Sequence, residues 1–116
     1  MNQRLIEVVA YNPEWVAAFE DEANHIHRVL ADVELRIHHI GSTAIPNIYA
    51  KPIIDILLEV NDVSQLDTMS SSFDELGYEQ MGEFGIPGRR YFRKDNEQGI
   101  RTHHIHAFAF SSPDAD

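Results

Sequence analysis

Leu35-Arg36-Ile37-His38-His39-Ile40-Gly41-Ser42 is followed, across a loop holding two prolines, by Ile53-Ile54-Asp55-Ile56-Leu57-Leu58-Glu59-Val60. This pair of segments organises the rest of the chain. Leu35 to Ile40 reads as a strand that stops at Gly41-Ser42. Thr43 to Pro52 reads as a structured loop with room for one helical turn. Ile53 to Val60 is the most strand-like segment, because Ile54, Ile56, Leu58 and Val60 recur at every second position and share one face. A strand that ends in Gly-Ser ahead of a helical turn presents backbone N–H groups to an anion such as phosphate. Gly41 lets the backbone approach that anion, Ser42 and Thr43 add hydroxyl donors, and Lys51 adds positive charge. Asp55, in the next strand, is placed to hold a cation against the phosphate. Taken alone, Gly41-Ser42 reads first as a plain tight turn.

N-terminal to this pair, Leu5 to Val9 is a short apolar run suited to an edge strand. Asn12-Pro13-Glu14 reads as a helix start, with Asn12 as cap, Pro13 in the first helical position and Glu14 at the positive end of the dipole. Trp15, Ala18, Phe19, Glu22, Ile26 and Leu30 then fall mostly three and four apart, an amphipathic helix of about five turns. C-terminal to the pair, Val63 to Leu76 fits a second helix, capped by Asp62 or Ser64 and closed by Gly77. Tyr78 to Met81, Arg90 to Lys94 and Thr102 to Phe110 read as strands, and Ser111 to Asp116 as a polar tail. The pattern predicts one α/β (α+β) domain over residues 1–116, a mixed β-sheet with helices packed on one side.

Composition narrows the chemistry. The chain has 116 residues and no cysteine, which excludes disulfide scaffolds, cysteine-ligated metal centres and thiol nucleophiles. A net charge of −10 repels nucleic-acid phosphates and anionic membranes, so neither is expected as a partner. No apolar run approaches the ~20 residues of a membrane helix and no secretory signal pattern opens the chain, so a cytoplasmic protein is expected. A small phosphorylated molecule or nucleotide is the expected partner, and the composition is compatible with a homodimer.

Seven histidines are the compositional oddity. On a strand, His104 and His106 share one face with Phe108 and Phe110, while His103, Ile105 and Ala107 share the other. Two imidazoles about 6.6–6.8 Å apart along a strand can converge on one ion; the alternative is a solvated polar pair. His39 alternates with Leu35 and Ile37 and so suits a hydrogen-bonded core position, whereas His25, His27 and His38 read as surface residues. Arg89, Arg90, Arg93, Lys94 and Arg101 cluster in an otherwise acidic chain. They suggest either a local anion site or a hairpin that balances nearby acids.

His38-His39-Ile40-Gly41-Ser42-Thr43 with Lys51-Pro52-Ile53-Ile54-Asp55-Ile56 resembles the GrpB family. Tyr11-Asn12-Pro13-Glu14-Trp15, Leu76-Gly77-Tyr78, Gly88-Arg89-Arg90-Tyr91-Phe92 and Thr102-His103-His104-Ile105-His106 extend that likeness over nearly the whole chain. The resemblance implies the fold of the polymerase-β-like nucleotidyltransferase superfamily, some relatives being fused to dephospho-CoA kinase. It also implies further helices after the histidine-rich strand, so this chain is expected to be a minimal version or to have them supplied by a partner. Superfamily enzymes carry two acids one residue apart that clamp two metal ions, ~3.5–4 Å from each other. Here Asp55 matches the first acid and Leu57 stands at the second. Glu59, about 13 Å further along the strand at ~3.3 Å per residue, is too far to replace it and reads as a solvated strand-end residue.

In the superfamily the strand after the acid-bearing hairpin brings a third acid beside the first, and the resemblance makes the strand of His104 and His106 the candidate for that place. Asp55, His104 and His106 would then form a two-His-one-carboxylate set for a divalent ion, Mg, Mn or Zn, with Fe a further fit. The expected function is binding of a nucleotide or other phosphorylated small molecule, with metal-assisted nucleotidyl or phosphoryl transfer as its chemistry. In that reading Asp55 holds the metal, Gly41, Ser42, Thr43 and Lys51 hold phosphate oxygens, and Arg90 neutralises developing charge. The alternatives are a non-catalytic ligand- or partner-binding module on the same fold, and a one-metal hydrolase built on the histidines.

Overall fold

The computed structural model describes residues 8–110. Leu5 to Glu7 of the expected edge strand and the tail Ser111 to Asp116 lie outside these residues, while Val9 forms an antiparallel bridge with Ala50.

Helix α1 spans Glu14–Val29. Asn12 Oδ1 accepts the Glu14 N–H at 2.9 Å, and Pro13 takes the cap position with φ −58°, so the helix begins one residue later than expected. Trp15, Glu22 and Ile26 face inward. The second helix is interrupted. Val63–Thr68 is a 3-10 segment, and α2 covers only Ser70–Leu76. Asp62 caps the segment by accepting both the N–H and the hydroxyl of Ser64. The Thr68 hydroxyl then donates to the Gln65 carbonyl at 2.8 Å, the acceptor that an α-helix would offer to the Met69 N–H. Met69 bonds instead to the Leu66 carbonyl, so the turn tightens and the α pattern restarts after it. Gly77, at φ 90°, closes α2 in the left-handed conformation.

The strands are β1 (Leu35–Ile40), β2 (Ile54–Val60), β3 (Glu79–Gln80), β4 (Arg90–Asp95) and β5 (Arg101–Ala109). They form one mixed sheet in the order β1-β2-β5-β4-β3. β2 and β5 run parallel and the other pairings are antiparallel. Both helices cover the same face. Ile56, Leu58, Val60, Ile105 and Ala107 are fully buried beneath them, and Phe73 of α2 stacks on Phe92 at 4.0 Å between ring centres. Glu22, set within the apolar stripe of α1, accepts hydrogen bonds from the Tyr78 hydroxyl at 2.7 Å and Lys94 Nζ at 2.6 Å. Burial alone would raise the pKa of Glu22, but these two donors outweigh it and hold the carboxyl below its ordinary value. Among the described residues no helix is long and apolar enough to cross a membrane.

Strand alternation sends the remaining side chains to the face opposite the helices. Asp55, Leu57 and Glu59 of β2, His104 and His106 of β5, and Tyr91 of β4 share that open face.

Candidate functional site

A cleft of about 380 Å³ opens on this face, at the end of the sheet where β2 and β5 begin. The loop between β1 and β2 contributes Ser42 and Lys51, and the start of β2 contributes Asp55. β5 contributes His104 and His106, and the segment leading into β4 contributes Phe84 and Arg89.

The parallel register sets Asp55 directly beside His104. His104 Nδ1 lies 3.0 Å from Asp55 Oδ1, and His106 Nε2 lies 3.7 Å from the same oxygen. Burial alone would raise the Asp55 pKa; hydrogen bonding and charge from the two imidazoles outweigh that and bring it to about 2. An ionised carboxylate only accepts, so the His104 ring carries a proton on Nδ1. On its other side, His106 Nδ1 lies 3.2 Å from Arg89 Nη1. A guanidinium only donates, so neutral His106 carries its proton on Nε2, the nitrogen that faces Asp55.

The guanidinium at this site belongs to Arg89, and Arg90 is not brought to it. Arg90 lies opposite Ala107 on the helix-covered face and makes a two-pronged pair with Asp67 at 2.8 and 3.0 Å. Consecutive residues on a strand point to opposite faces, so the residue with the parity of Tyr91 reaches the cleft. That parity was legible in the sequence. Arg93 pairs with Glu79, Lys94 with Glu22 and Arg101 with Asp95; these three and Arg90 balance acids. Arg89 differs from them. It is 7 % exposed, and among the described residues no carboxylate lies within 4 Å of it. Its partners are the carbonyls of Glu83 and Phe84, His106 and the ring of Tyr91.

Two further sequence readings are corrected by the packing. Thr43 is fully buried, its hydroxyl donating to the Ile53 carbonyl at 3.1 Å and accepting from His39 Nε2 at 2.9 Å. The hydroxyl proton is used inside the fold, which leaves Ser42 as the hydroxyl that lines the cleft. His39, stacked on Phe19 with 4.8 Å between ring centres, is hydrogen-bonded on the helix-covered face as its alternation implied, but half-buried at the edge of the core. Glu59 is not solvated: it is 8 % exposed and bonded to His38 Nε2 at 2.9 Å, which satisfies a carboxylate that the strand places beneath neighbouring side chains. The helical turn after Gly41 is the three-residue 3-10 segment Ser42–Ala44, too short to build a macrodipole. The polar and cationic side chains that line this part of the cleft are therefore Ser42, Lys51 and Arg89.

The ligating atoms of Asp55, His104 and His106 lie within 4.8 Å of one another. Two imidazoles and a carboxylate at this spacing fit one divalent ion by donor type, since donors ~2.0–2.2 Å from an ion stand only a few ångströms apart. Binding would displace the two N–H protons that now face Asp55, and the Arg89 contact to His106 works against that exchange, because histidine ligands ordinarily donate to an acceptor behind them. On this face of β2 no second carboxylate joins Asp55 at the cleft: Leu57 follows it, and Glu59 is engaged with His38.

The family model described as GrpB protein matches residues 5–116. The chain is 40% identical over 111 residues to the UPF0157 protein YqkA of Bacillus subtilis, covering 96% of this chain and 32% of that one. The crystal structure of the conserved protein GrpB from Enterococcus faecalis superposes with a TM-score of 0.86 at 44% identity, over 93% of this chain and 64% of that one. A structure of the Cid1 poly(U) polymerase with MgGTP bound gives a TM-score of 0.54 at 13% identity, over 90% of this chain and 34% of that one; this likeness is one of fold. The chain spans 32%, 37% and 46% of the length of the first three curated relatives it matches.

Proposed function

The chain belongs to the GrpB family, and from that premise we propose that its open-face cleft binds a nucleotide or another phosphorylated small molecule together with a divalent cation. Ser42, Lys51 and Arg89 take the phosphate oxygens, and Asp55 with His104 and His106 takes the cation. The observation that carries this reading is Arg89. Burying a cation without a carboxylate is costly, and two carbonyls, one imidazole and one ring face leave its charge uncancelled. Lys51 adds a second cation on the same cleft, exposed and, among the described residues, outside any ion pair. An anionic ligand completes such a site.

The nucleotidyltransferase-like fold supports nucleotidyl or phosphoryl transfer as the chemistry. A bound divalent cation would draw charge from the phosphoryl oxygens, while Arg89 and Lys51 hold the group in place. Leu57 supports a second reading, binding without transfer, because it removes one of the superfamily's paired acids.

Calorimetric titration of pyrophosphate into the protein with Mn²⁺ present tests the proposal. We expect saturable binding that weakens at least tenfold in Arg89→Gln and loses its Mn²⁺ dependence in Asp55→Asn. Absence of binding by the wild-type protein, or equal binding by all three proteins, overturns it. Phosphorus NMR of a nucleoside triphosphate incubated with the protein then separates transfer from binding alone.

A further inference from the structure

We infer that Phe84 is a stacking platform for a nucleobase, so that the cleft takes nucleotides in preference to other phosphorylated molecules. This inference rests on the phosphate-binding reading above and deepens it. Phe84 lines the cleft with its ring nearly parallel to that of Tyr91, 5.1 Å between centres and 19° between planes. The side chain is nonetheless 55 % exposed. Tyr91 thus supports one face and leaves the other open. An isolated exposed phenylalanine is ordinary on a protein surface; the way this one is held is not.

Phe84 has φ 49°, a conformation that a residue with a β-carbon adopts only where its surroundings impose it. Those surroundings are Arg89, whose Nη2 donates to the Phe84 carbonyl at 2.9 Å and whose Nε donates to the Glu83 carbonyl at 3.2 Å. The Glu83 carboxylate in turn accepts the Gly88 N–H at 2.8 Å. One guanidinium therefore fixes the aromatic ring and offers positive charge to the same cleft. A nucleotide carries the matching pair of groups, a flat π system and an anionic phosphate joined by a short sugar. A sugar phosphate or an inorganic diphosphate has only the second. The cleft volume of about 380 Å³ sits at the low end of the ~300–1,000 Å³ typical of small-molecule sites, which suits one nucleotide.

Calorimetric titration of ADP and of pyrophosphate, each with Mg²⁺, into wild type, Phe84→Ala and Phe84→Trp tests the inference, because the two ligands share the diphosphate and differ in the nucleoside. Base stacking on an aromatic side chain implies that Phe84→Ala weakens ADP binding by roughly 5–150-fold. Pyrophosphate affinity should stay within about twofold, and Phe84→Trp should restore ADP binding. Wild-type protein that binds pyrophosphate as tightly as ADP, or an equal loss of both ligands in Phe84→Ala, overturns the nucleobase platform and leaves phosphate binding standing. Failure of wild-type protein to bind either ligand overturns both readings.

Discussion

Asp55 Oδ2 lies 2.6 Å from the point that a β-carbon on Gly41 would occupy. Gly41 also has φ 77°, where a side chain is strained. Two independent constraints therefore require glycine where β1 leads into the cleft. Gly41→Ala is expected to destabilise the fold by about 2–3 kcal/mol, from the left-handed backbone and the clash together. Urea denaturation measures this loss. Gly41→Ala should cost less in an Asp55→Ala background than in the wild type, since the closest part of the clash depends on the carboxylate.

Arg89 and Arg90 adjoin in sequence and should separate cleanly in experiment. Arg90→Ala removes an exposed pair with Asp67 and should cost less than about 1 kcal/mol of stability. Its phosphate affinity should remain within about twofold of wild type. Arg89→Gln should lower that affinity by at least an order of magnitude, as expected for a charge-assisted contact. Equal phosphate affinity in the two variants would place the anion elsewhere.

The neighbours Ser42 and Thr43 make a second such pair. Thr43→Val keeps the shape but leaves the Ile53 carbonyl and His39 Nε2 without their partner, at a cost of about 1–3 kcal/mol in unfolding free energy measured by urea denaturation. Ser42→Ala should leave stability within about 0.5 kcal/mol and weaken pyrophosphate binding instead.

Stability should fall as the solution is acidified, in two stages. His39 and His103 both have pKa values lowered below 6.5, in each case by burial first; the Asp55 charge opposes the shift at His39 and the Glu22 charge opposes it at His103. The unfolded chain therefore binds protons first, and stability drops as pH falls through and below 6.5. The second stage lies below 3.8, where Asp55 in the unfolded chain protonates while the folded carboxyl holds to about 2. That difference corresponds to about 2 kcal/mol, lost between those two values. Denaturation midpoints at pH 8, 5 and 2.5 measure both stages. His39→Gln should reduce the first stage, which His103 shares, and Asp55→Asn the second, to which Glu22 also contributes.

Period-two alternation made the two faces of the sheet legible from the chain alone. It placed Ile54, Ile56, Leu58 and Val60 on one face of β2 and His104 with His106 on one face of β5, because side-chain direction along a strand is a local property; that Asp55 joins the two histidines followed only from the family resemblance and is set by the parallel β2–β5 register. The same parity separates Arg90, which shares its face with Phe92, from Tyr91, but which of those faces meets the cleft was open until β4 paired with β5. The chain also announced where α1 begins and where α2 ends, since Asn12 and Gly77 act on their immediate neighbours.

Only the tertiary structure decided which polar groups remain available to a ligand. Asp67, in a 3-10 segment far along the chain, removes Arg90 from consideration; His39 and the Ile53 carbonyl do the same for the Thr43 hydroxyl, and His38 for Glu59. Phe84 gave no signal in the sequence, because its orientation is set by hydrogen bonds from Arg89 five residues later and by stacking on Tyr91. The break at Met69 likewise depends on a single side-chain bond from Thr68. The division has one physical cause: strand direction and helix ends are fixed within a few residues, whereas hydrogen-bond and charge partners are chosen among groups that meet only when the chain is packed.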